Sequence, residues 1–484
     1  MIRKSKRLTM SKNRGHKQHK IKHIDHISNL PDCILHHILS FMPTKEVVKT
    51  SVLSTRWKSL WASAPNIDFD DTLFSDTNID LYDAFIWDTK NHDQHLPDVT
   101  SFMNFLERVL MLRGSSNIEK FRLTCFNSYD ESQIQRSQIH SWISSAITHN
   151  VQDLHLTFFQ DDPSVIPWST FDGTSLVSLK IRANSVTELP SCISFPCLKT
   201  LHLLSVVFPN NDHAEKLFLG CPVLEELVLS DNWMNLKNIV ISSSTLKSLT
   251  IDDWEPFQPL NDPTSACKIK IDASNLTYFD YTGYLSNEIL LNNASSLVKA
   301  CIHIPSEWPK GVGCRVIDLL KQLRYVVSLR LSSCALECLK FADKMPARFT
   351  VFSNLSHLTL TLKIGNYSFG ALMDFLHVCP ILQSICLSEG FKKCMHLGEN
   401  DPVLLSIPLC MSNCLKTLTF KKLHAYNSEI CFLKCVLKYA HVLEKMDISC
   451  SKNWFPFVKD KSETTVCHQN SCRSDPIDKD KDKA

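Results

Sequence analysis

Residues able to do chemistry are plentiful in this 484-residue chain, but their spacing does not assemble them. Twenty cysteines run from Cys33 to Cys472, accompanied by 20 histidines. No Cys-x-x-Cys pair occurs, and no Cys/His group has the spacing of a zinc finger. Cys221, Cys301, Cys379 and Cys386 stand inside apolar runs, where a thiol behaves as a small hydrophobe. The 11 glycines form no GxxxxGK[ST] phosphate loop and no GxSxG nucleophile turn, and no HExxH zinc helix is present. Gly311-Val312-Gly313 precedes a helical segment, but Val316 stands where a dinucleotide fingerprint needs its last glycine. Asp68, Asp70, Asp71, Asp76 and Asp80 make an acidic stretch whose spacing fits no EF-hand loop. The expectation is a protein with no catalytic residue, no metal and no cofactor, one that acts by binding.

Composition agrees with a globular binder. The chain is 44% hydrophobic and 21% charged, with 26 phenylalanines, ample material for a core. Its net charge of +2 is unevenly placed. Arg3, Lys4, Lys6, Arg7, Lys12, Arg14, Lys17, Lys20 and Lys22 fall in the first 23 residues without one acid, so the remainder is net acidic. Residues 1–23 therefore read as a disordered basic tail, in which Arg3-Lys4-Ser5-Lys6-Arg7 fits a nuclear import signal. Such a tail also attracts nucleic acid non-specifically, although nothing else in the chain asks for a nucleic-acid partner. No apolar run reaches about 18 residues and the basic segment lacks an apolar h-region, so no membrane partner is expected. Scattered thiols without a disulfide framework point to a reducing compartment, and the expected location is nucleus and/or cytoplasm.

Helical signals concentrate between His26 and Pro65. Ser28 or Asn29 can cap a first helix, with Pro31 and Asp32 in its first turn. Ile34, Leu35, Ile38 and Leu39 give that helix an apolar face. Pro43 stops it, Thr44 can cap a second helix carrying Val47, Val48, Val52 and Leu53, and Ser54 a third carrying Trp57, Leu60 and Trp61. Forty residues of this kind form only a marginal core alone. Either they pack onto the domain that follows, or part of their apolar surface is kept for a partner; composition does not choose.

The stretch resembles an F-box. Leu30-Pro31-Asp32, Ile34-Leu35 and Ile38-Leu39-Ser40-Phe41 match the family's first helix, and Val52-Leu53-Ser54-x-Arg56-Trp57-x-x-Leu60-Trp61 matches its close. That resemblance implies binding to the Skp-type adaptor of cullin–RING ubiquitin ligases. It puts Leu30, Pro31, Ile34, Leu35, Ile38, Leu39, Val52, Leu53 and Trp57 at or supporting the adaptor interface, with His36 and His37 on a solvated or rim face.

Beyond residue 117 an L-x-x-L-x-L template recurs. Val151/Leu154/Leu156, Leu176/Leu179/Ile181, Leu198/Leu201/Leu203, Leu224/Leu227/Leu229, Leu246/Leu249/Ile251 and Leu276/Phe279/Tyr281 are examples. Leu297/Ala300/Ile302, Val326/Leu329/Leu331, Leu355/Leu358/Leu360, Leu382/Ile385/Leu387, Leu415/Leu418/Phe420 and Leu443/Met446/Ile448 continue it, at leucine-rich-repeat spacing. Asn184, Asn232 and Cys334 stand where the chain should turn out of a strand. Helical segments are expected at Ser141–Thr148, Ala214–Leu219, Arg315–Leu323, Phe369–Val378 and Glu429–Tyr439. Stacked strand–helix units make a parallel solenoid. With the F-box, and with Cys414-Leu415-Lys416-Thr417-Leu418-Thr419-Phe420 and Cys435–Met446, the chain is similar to plant F-box/leucine-rich-repeat proteins with a C-terminal FBD region.

The expected architecture is α/β: a three-helix F-box followed by an irregular leucine-rich-repeat solenoid of parallel strands with helices or loops on the other side. Its parts are a basic tail (1–23), F-box (24–66), acidic linker and amphipathic helix (67–117), repeats (118–405), FBD-like cap (406–451) and a polar disordered tail (452–484). The implied function is substrate recognition for an SCF-type ubiquitin ligase. The F-box holds the adaptor, and through it a cullin, while the repeats hold an unknown target through Lys180, Arg182, His202, Arg330, Asp280 and Asp447. No Cys/His pairs for a RING are present, so the chain itself transfers no ubiquitin. Two alternatives stay open: a hormone-like small molecule completing the target site, or a scaffold that associates with nucleic acid through the basic tail.

Overall fold

A computed structural model of the chain describes residues 27–74, 99–125, 136–159, 166–171, 174–186, 189–190, 193–231, 236–254, 267–305, 312–340, 351–361, 363–393 and 406–451. Both expected tails, Asp76, Asp80 and Asn232 lie outside them, as does the side chain of Asn184. The chain divides into two compact units, residues 1–355 and 356–484.

The first unit begins with three short helices, α1 (Asp32–Leu39), α2 (Thr44–Lys49) and α3 (Trp57–Leu60). Strand β1 (Asn66–Asp70) follows at once, then α4 (Val99–Leu112), β2 (Lys120–Cys125), α5 (Arg136–Thr148), β3 (Asp153–Phe158), β4 (Ser178–Val186), β5 (Thr200–Val207) and α6 (Asn211–Leu219). Strands β6 (Glu226–Ser230), β7 (Asn238–Ser242), β8 (Ser248–Asp253), β9 (Lys268–Asp272), β10 (Tyr278–Gly283), β11 (Glu288–Asn292) and β12 (Lys299–His303) come next, with no α-helix between them among the described residues. The unit closes with α7 (Val312–Gln322), β13 (Ser328–Ser332) and α8 (Ser333–Lys340).

Ten strands form one parallel sheet in the order β1-β2-β3-β4-β5-β6-β8-β10-β12-β13. The leucine template fixes its register. Leu154, Leu179, Leu201, Leu227, Leu249, Phe279, Ala300 and Leu329 stand in one row, and Leu156, Ile181, Leu203, Leu229, Ile251, Tyr281, Ile302 and Leu331 in the next. Both rows are buried, because side chains two apart on a strand share a face. A carbonyl at the mouth of each strand accepts two consecutive N–H groups of the following repeat. Pro65, Glu119, Gln152, Val177, Lys199, Glu225, Lys247, Thr277 and Val298 all do so, at 2.8–3.3 Å.

Two differences from the sequence reading have a common cause. Residues 67–117, expected as an acidic linker and amphipathic helix, contain the helix, but ahead of it β1 is a strand of the repeat sheet. Ile67 and Phe69 face the core while Asp68 and Asp70 alternate outward, so the acids belong to a period-2 strand. Between β6 and β12 the second side carries strands rather than the expected helices or loops. Ile239, Ile269 and Ile289 pair in register in a parallel three-stranded sheet, β7-β9-β11, as do Ile241, Ile271 and Leu291. Alternating β-branched residues favour a strand over a helix on this side. Helix α6 packs on β7 and α7 on β11, so helices and small sheet continue one layer. Cys334 lies in the first turn of α8 instead of in a turn between elements.

Strands β14 (His357–Thr361), β15 (Ser384–Leu387), β16 (Thr417–Leu423) and β17 (Lys445–Cys450) make the parallel sheet of the second unit, with α9 (Asn366–His377), α10 (Leu409–Asn413) and α11 (Asn427–Tyr439) between them. Phe391 packs against Phe369, Phe420 and Phe432 with ring centroids 5.6–5.7 Å apart. Glu429, fully buried, accepts from the backbone N–H of Phe391, His424 and Tyr426 at 3.2, 2.9 and 3.1 Å. Those donors offset the cost of burying its carboxylate.

Burial pushes the thiols of Cys221, Cys267, Cys301 and Cys410 up to about 12, whereas Cys33, Cys197 and Cys314 are exposed. A maleimide at about pH 8 should therefore label the last three in the folded chain and reach the first four only after denaturation, since the thiolate is the reacting form. Peptide mass spectrometry of labelled chain gives the order directly.

Candidate functional site

The three N-terminal helices close a small core of their own. Leu35, Leu39, Val47, Trp57, Leu60 and Ala64 are buried in it, with Leu30, Met42 and Trp61 packed against them. Two of the hydroxyls expected to cap these helices serve elsewhere. Ser28 Oγ accepts the Trp57 Nε1–H at 2.8 Å, and Thr44 Oγ1 accepts the backbone N–H of Asp68 at 2.7 Å. Arg56 donates to the carbonyls of Ser28 and Leu30 and to the Asp32 carboxylate, tying the segment before α1 to α3. The Arg56 hydrogen bond, helped by its charge, holds the Asp32 carboxyl below its usual range.

With the core complete, large apolar side chains are left over. Ile34, Ile38 and Phe41 follow one another at i, i+4 and i+7, and all three are exposed, Phe41 to 76%. Val52 and Leu53, at the end of a short 3-10 turn, are exposed to 85% and 64%. Ile27 and Pro31 are exposed as well. So many exposed apolar groups in so short a stretch mark a surface meant to be covered. The nine residues implied by the resemblance thus divide. Pro31, Ile34, Ile38, Val52 and Leu53 face outward; Leu35, Leu39 and Trp57 are core, and Leu30 lies between. Phe41 and Ile27, outside those nine, face outward too. The continuation of the Ile34–Ile38 spacing was the signal for Phe41; nothing local singled out Ile27. His37 is exposed, its ring edge-on to Phe41 at 4.9 Å, while His36 is part-buried and reaches Ser63 Oγ at 3.0 Å.

This helical unit is fastened to the sheet. Pro65 supplies the first shared carbonyl, to Glu119 and Lys120. Buried Arg113, from the turn after α4, donates to Ala64 O at 2.7 Å and Asn117 O at 3.1 Å. Its burial lowers the guanidinium to about 10. Lys45 Nζ reaches Leu73 O at 2.6 Å and lies 4.1 Å over the Phe74 ring. Sequence reasoning quoted Arg56 in the F-box motif without assigning it a role and passed over Arg113; neither carries a periodic signal.

The residues expected to meet a target are spread over the outward side of the sheets. Lys180 and His202 are register neighbours on β4 and β5, with Arg182 one outward position along β4 from Lys180. His202 Nε2 meets Glu226 Oε1 at 2.8 Å, and burial lowers its pKa. Asp280 accepts from the Tyr278 hydroxyl at 2.6 Å. Arg330, on β13, is exposed five register steps from His202, so the sheet does not bring the two together. Asp447, in the second unit, meets Lys445 at 2.8 Å. Of the acidic stretch, Asp68 meets Arg122 at 3.4 Å and Asp70 accepts from Thr72. Among the described residues no group of three His, Cys, Asp or Glu could hold a metal ion, and no helix is long and apolar enough to cross a membrane.

The two sets of helical residues should respond oppositely to substitution. Leu35→Ala is expected to lower stability by about 2–5 kcal/mol, by lost burial plus a cavity. Ile34→Ala or Val52→Ala should move the urea midpoint by no more than about 0.5 kcal/mol equivalent. A small effect of Leu35→Ala would mean that the core is misassigned.

Known proteins are similar in sequence to both parts of the chain. Residues 27–68 match the F-box domain, and residues 109–476 match the At1g61320/AtMIF1 LRR domain. A putative F-box/FBD/LRR-repeat protein of Arabidopsis thaliana is 35% identical over 415 residues, covering 82% of this chain and 76% of that protein. Two putative F-box/LRR-repeat proteins of the same plant are 32% and 30% identical, covering 79% and 92% of this chain and 84% and 89% of their own lengths. The matches cover the three-helix unit and the repeats behind it along most of the chain, which belongs to the plant F-box/leucine-rich-repeat family.

Proposed function

We propose that the chain is the substrate-recognition subunit of an SCF-type cullin–RING ubiquitin ligase. The F-box binds a Skp-type adaptor, and through it a cullin; the repeats bind a target protein. The observation that carries this reading is the apolar surplus on the first unit's helices: Ile34, Ile38, Phe41, Val52 and Leu53 are exposed although Leu35, Leu39 and Trp57 already complete the core. F-box domains generally bind Skp-type adaptors, and an adaptor is the partner that such a face fits.

The mechanism is proximity. The chain supplies no reacting group; it raises the effective concentration of target lysines beside the ligase's catalytic subunits. A stiff connection helps, because a floppy one dilutes that concentration. The shared Pro65 carbonyl, the Arg113 hydrogen bonds and the β1–β2 pairing serve this purpose, with no free linker between F-box and first repeat. The same reading puts the protein in the nucleus, the cytoplasm or both, where unpaired thiols persist.

A pull-down tests the reading. Wild type and a Val52→Asp/Leu53→Asp variant are captured beside a purified Skp-type adaptor and cullin. The variant should bind adaptor at least about tenfold more weakly, since charge placed in an apolar interface core removes its anchoring contacts. Its melting temperature should stay near that of the wild type, both side chains being exposed. Undiminished adaptor recovery by the variant would sink the reading.

A further inference from the structure

The outward side of the ten-stranded sheet answers most of its charges internally. Arg122 meets Asp68 at 3.4 Å, Lys120 and His155 meet Asp153 at 3.6 and 3.0 Å, and His202 meets Glu226 at 2.8 Å. Asp280 accepts from the Tyr278 hydroxyl, and Lys299 lies over the Tyr278 ring. Near the centre, three half-buried charges have no hydrogen bond or ion pair among the described residues: Lys180 and Arg182 on β4, and Asp252 on β8.

Backbone pairing sets their geometry. Arg182, Leu204, Ser230 and Asp252 occupy one register row on β4, β5, β6 and β8; Lys180, His202, Val228 and Thr250 occupy the row beside it. Cations and carboxylate are three strand spacings apart, about 14 Å, with Leu204 and Val228 on the strands between. Burial, with Asp280 and Asp231 nearby, raises the Asp252 carboxyl to about 6. At neutral pH it is mostly ionised but poorly stabilised, and an arriving cation would draw its pKa back down.

An extended chain advances about 3.3 Å per residue, so 14 Å corresponds to about four residues. We infer that Lys180 with Arg182 and Asp252 are the two poles of a docking track for an extended segment of the target protein, one carrying an acidic and a basic residue about four positions apart with an apolar residue between. The inference rests on the reading of the repeats as the part that holds the target. The segment lies across the strands, its acid at Lys180 and Arg182, its apolar side chain over Leu204 and Val228, its base at Asp252. Half-buried charges of opposite sign that no described residue pairs contribute discrimination more than raw affinity, because a segment with the wrong sign at either pole leaves two like charges facing.

Selection of a displayed library of random decapeptides on the full chain tests the track. Wild type should enrich peptides with an acid and a base about three to five positions apart. Lys180→Glu/Arg182→Glu should turn the selection to peptides basic at both ends, and Asp252→Lys to peptides acidic at both ends. A peptide selected by wild type should bind the Lys180→Glu/Arg182→Glu variant at least about tenfold more weakly. Enrichment without the charge pair, or the same peptides from wild type and reversed variants, overturns the inference. Adaptor capture on the same preparations separates the two levels. Capture kept while the peptides disagree overturns the track alone; failure of the wild type to capture adaptor overturns the reading beneath it.

Discussion

One backbone carbonyl per repeat, shared by two consecutive N–H groups of the next repeat, sets where each strand of the ten-stranded sheet after β1 begins. The series starts at Pro65 and runs through Glu119, Gln152, Val177, Lys199, Glu225, Lys247, Thr277 to Val298. With that start fixed, the strands stand in register and the period of two decides the rest. Leucine positions turn inward and stack; the residues between them turn outward in rows. A slip of one residue in any repeat would exchange core for surface there. The same series joins the F-box to the array, because its first member, Pro65, lies near the close of the F-box.

That join explains how so small a helical unit can leave apolar residues uncovered. Six buried side chains form its core, little for an independent domain. Arg113, Thr44, Lys45 and the β1–β2 pairing add contacts from the repeat side. With stability drawn from the array, Ile34, Ile38, Phe41, Val52 and Leu53 are free to serve a partner instead of the core. An apolar surface on helices and a mixed-charge one on strands then share one frame.

The repeat strands were legible because leucine recurs at fixed spacing, and all eight strands that the template marks in the first unit pair in register. Strands β1 and β2 were harder to read, since Ile67, Phe69 and Phe121 replace leucine and the outward acids of β1 imitate a linker. The small second sheet was hidden by an expectation of helices or loops on that side, although Ile239/Ile241 and Ile269/Ile271 alternate as strand residues do. On α1 the sequence could not separate core from surface. Ile34 beside Leu35 and Ile38 beside Leu39 are equally apolar, and only the packing of Trp57 and Leu60 shows which stripe is covered. Lone charges such as Arg56 and Arg113 give no periodic signal, and their importance rests on which carbonyls lie within reach.

The central claim, that the F-box unit uses its uncovered apolar side chains to hold a Skp-type adaptor, is tested most directly by amide hydrogen exchange of the full chain with and without purified adaptor. New protection should appear over residues 27–41 and 50–56, with the strands from β3 to β13 unchanged. Protection confined to the repeat strands, or none anywhere at saturating adaptor, would contradict it.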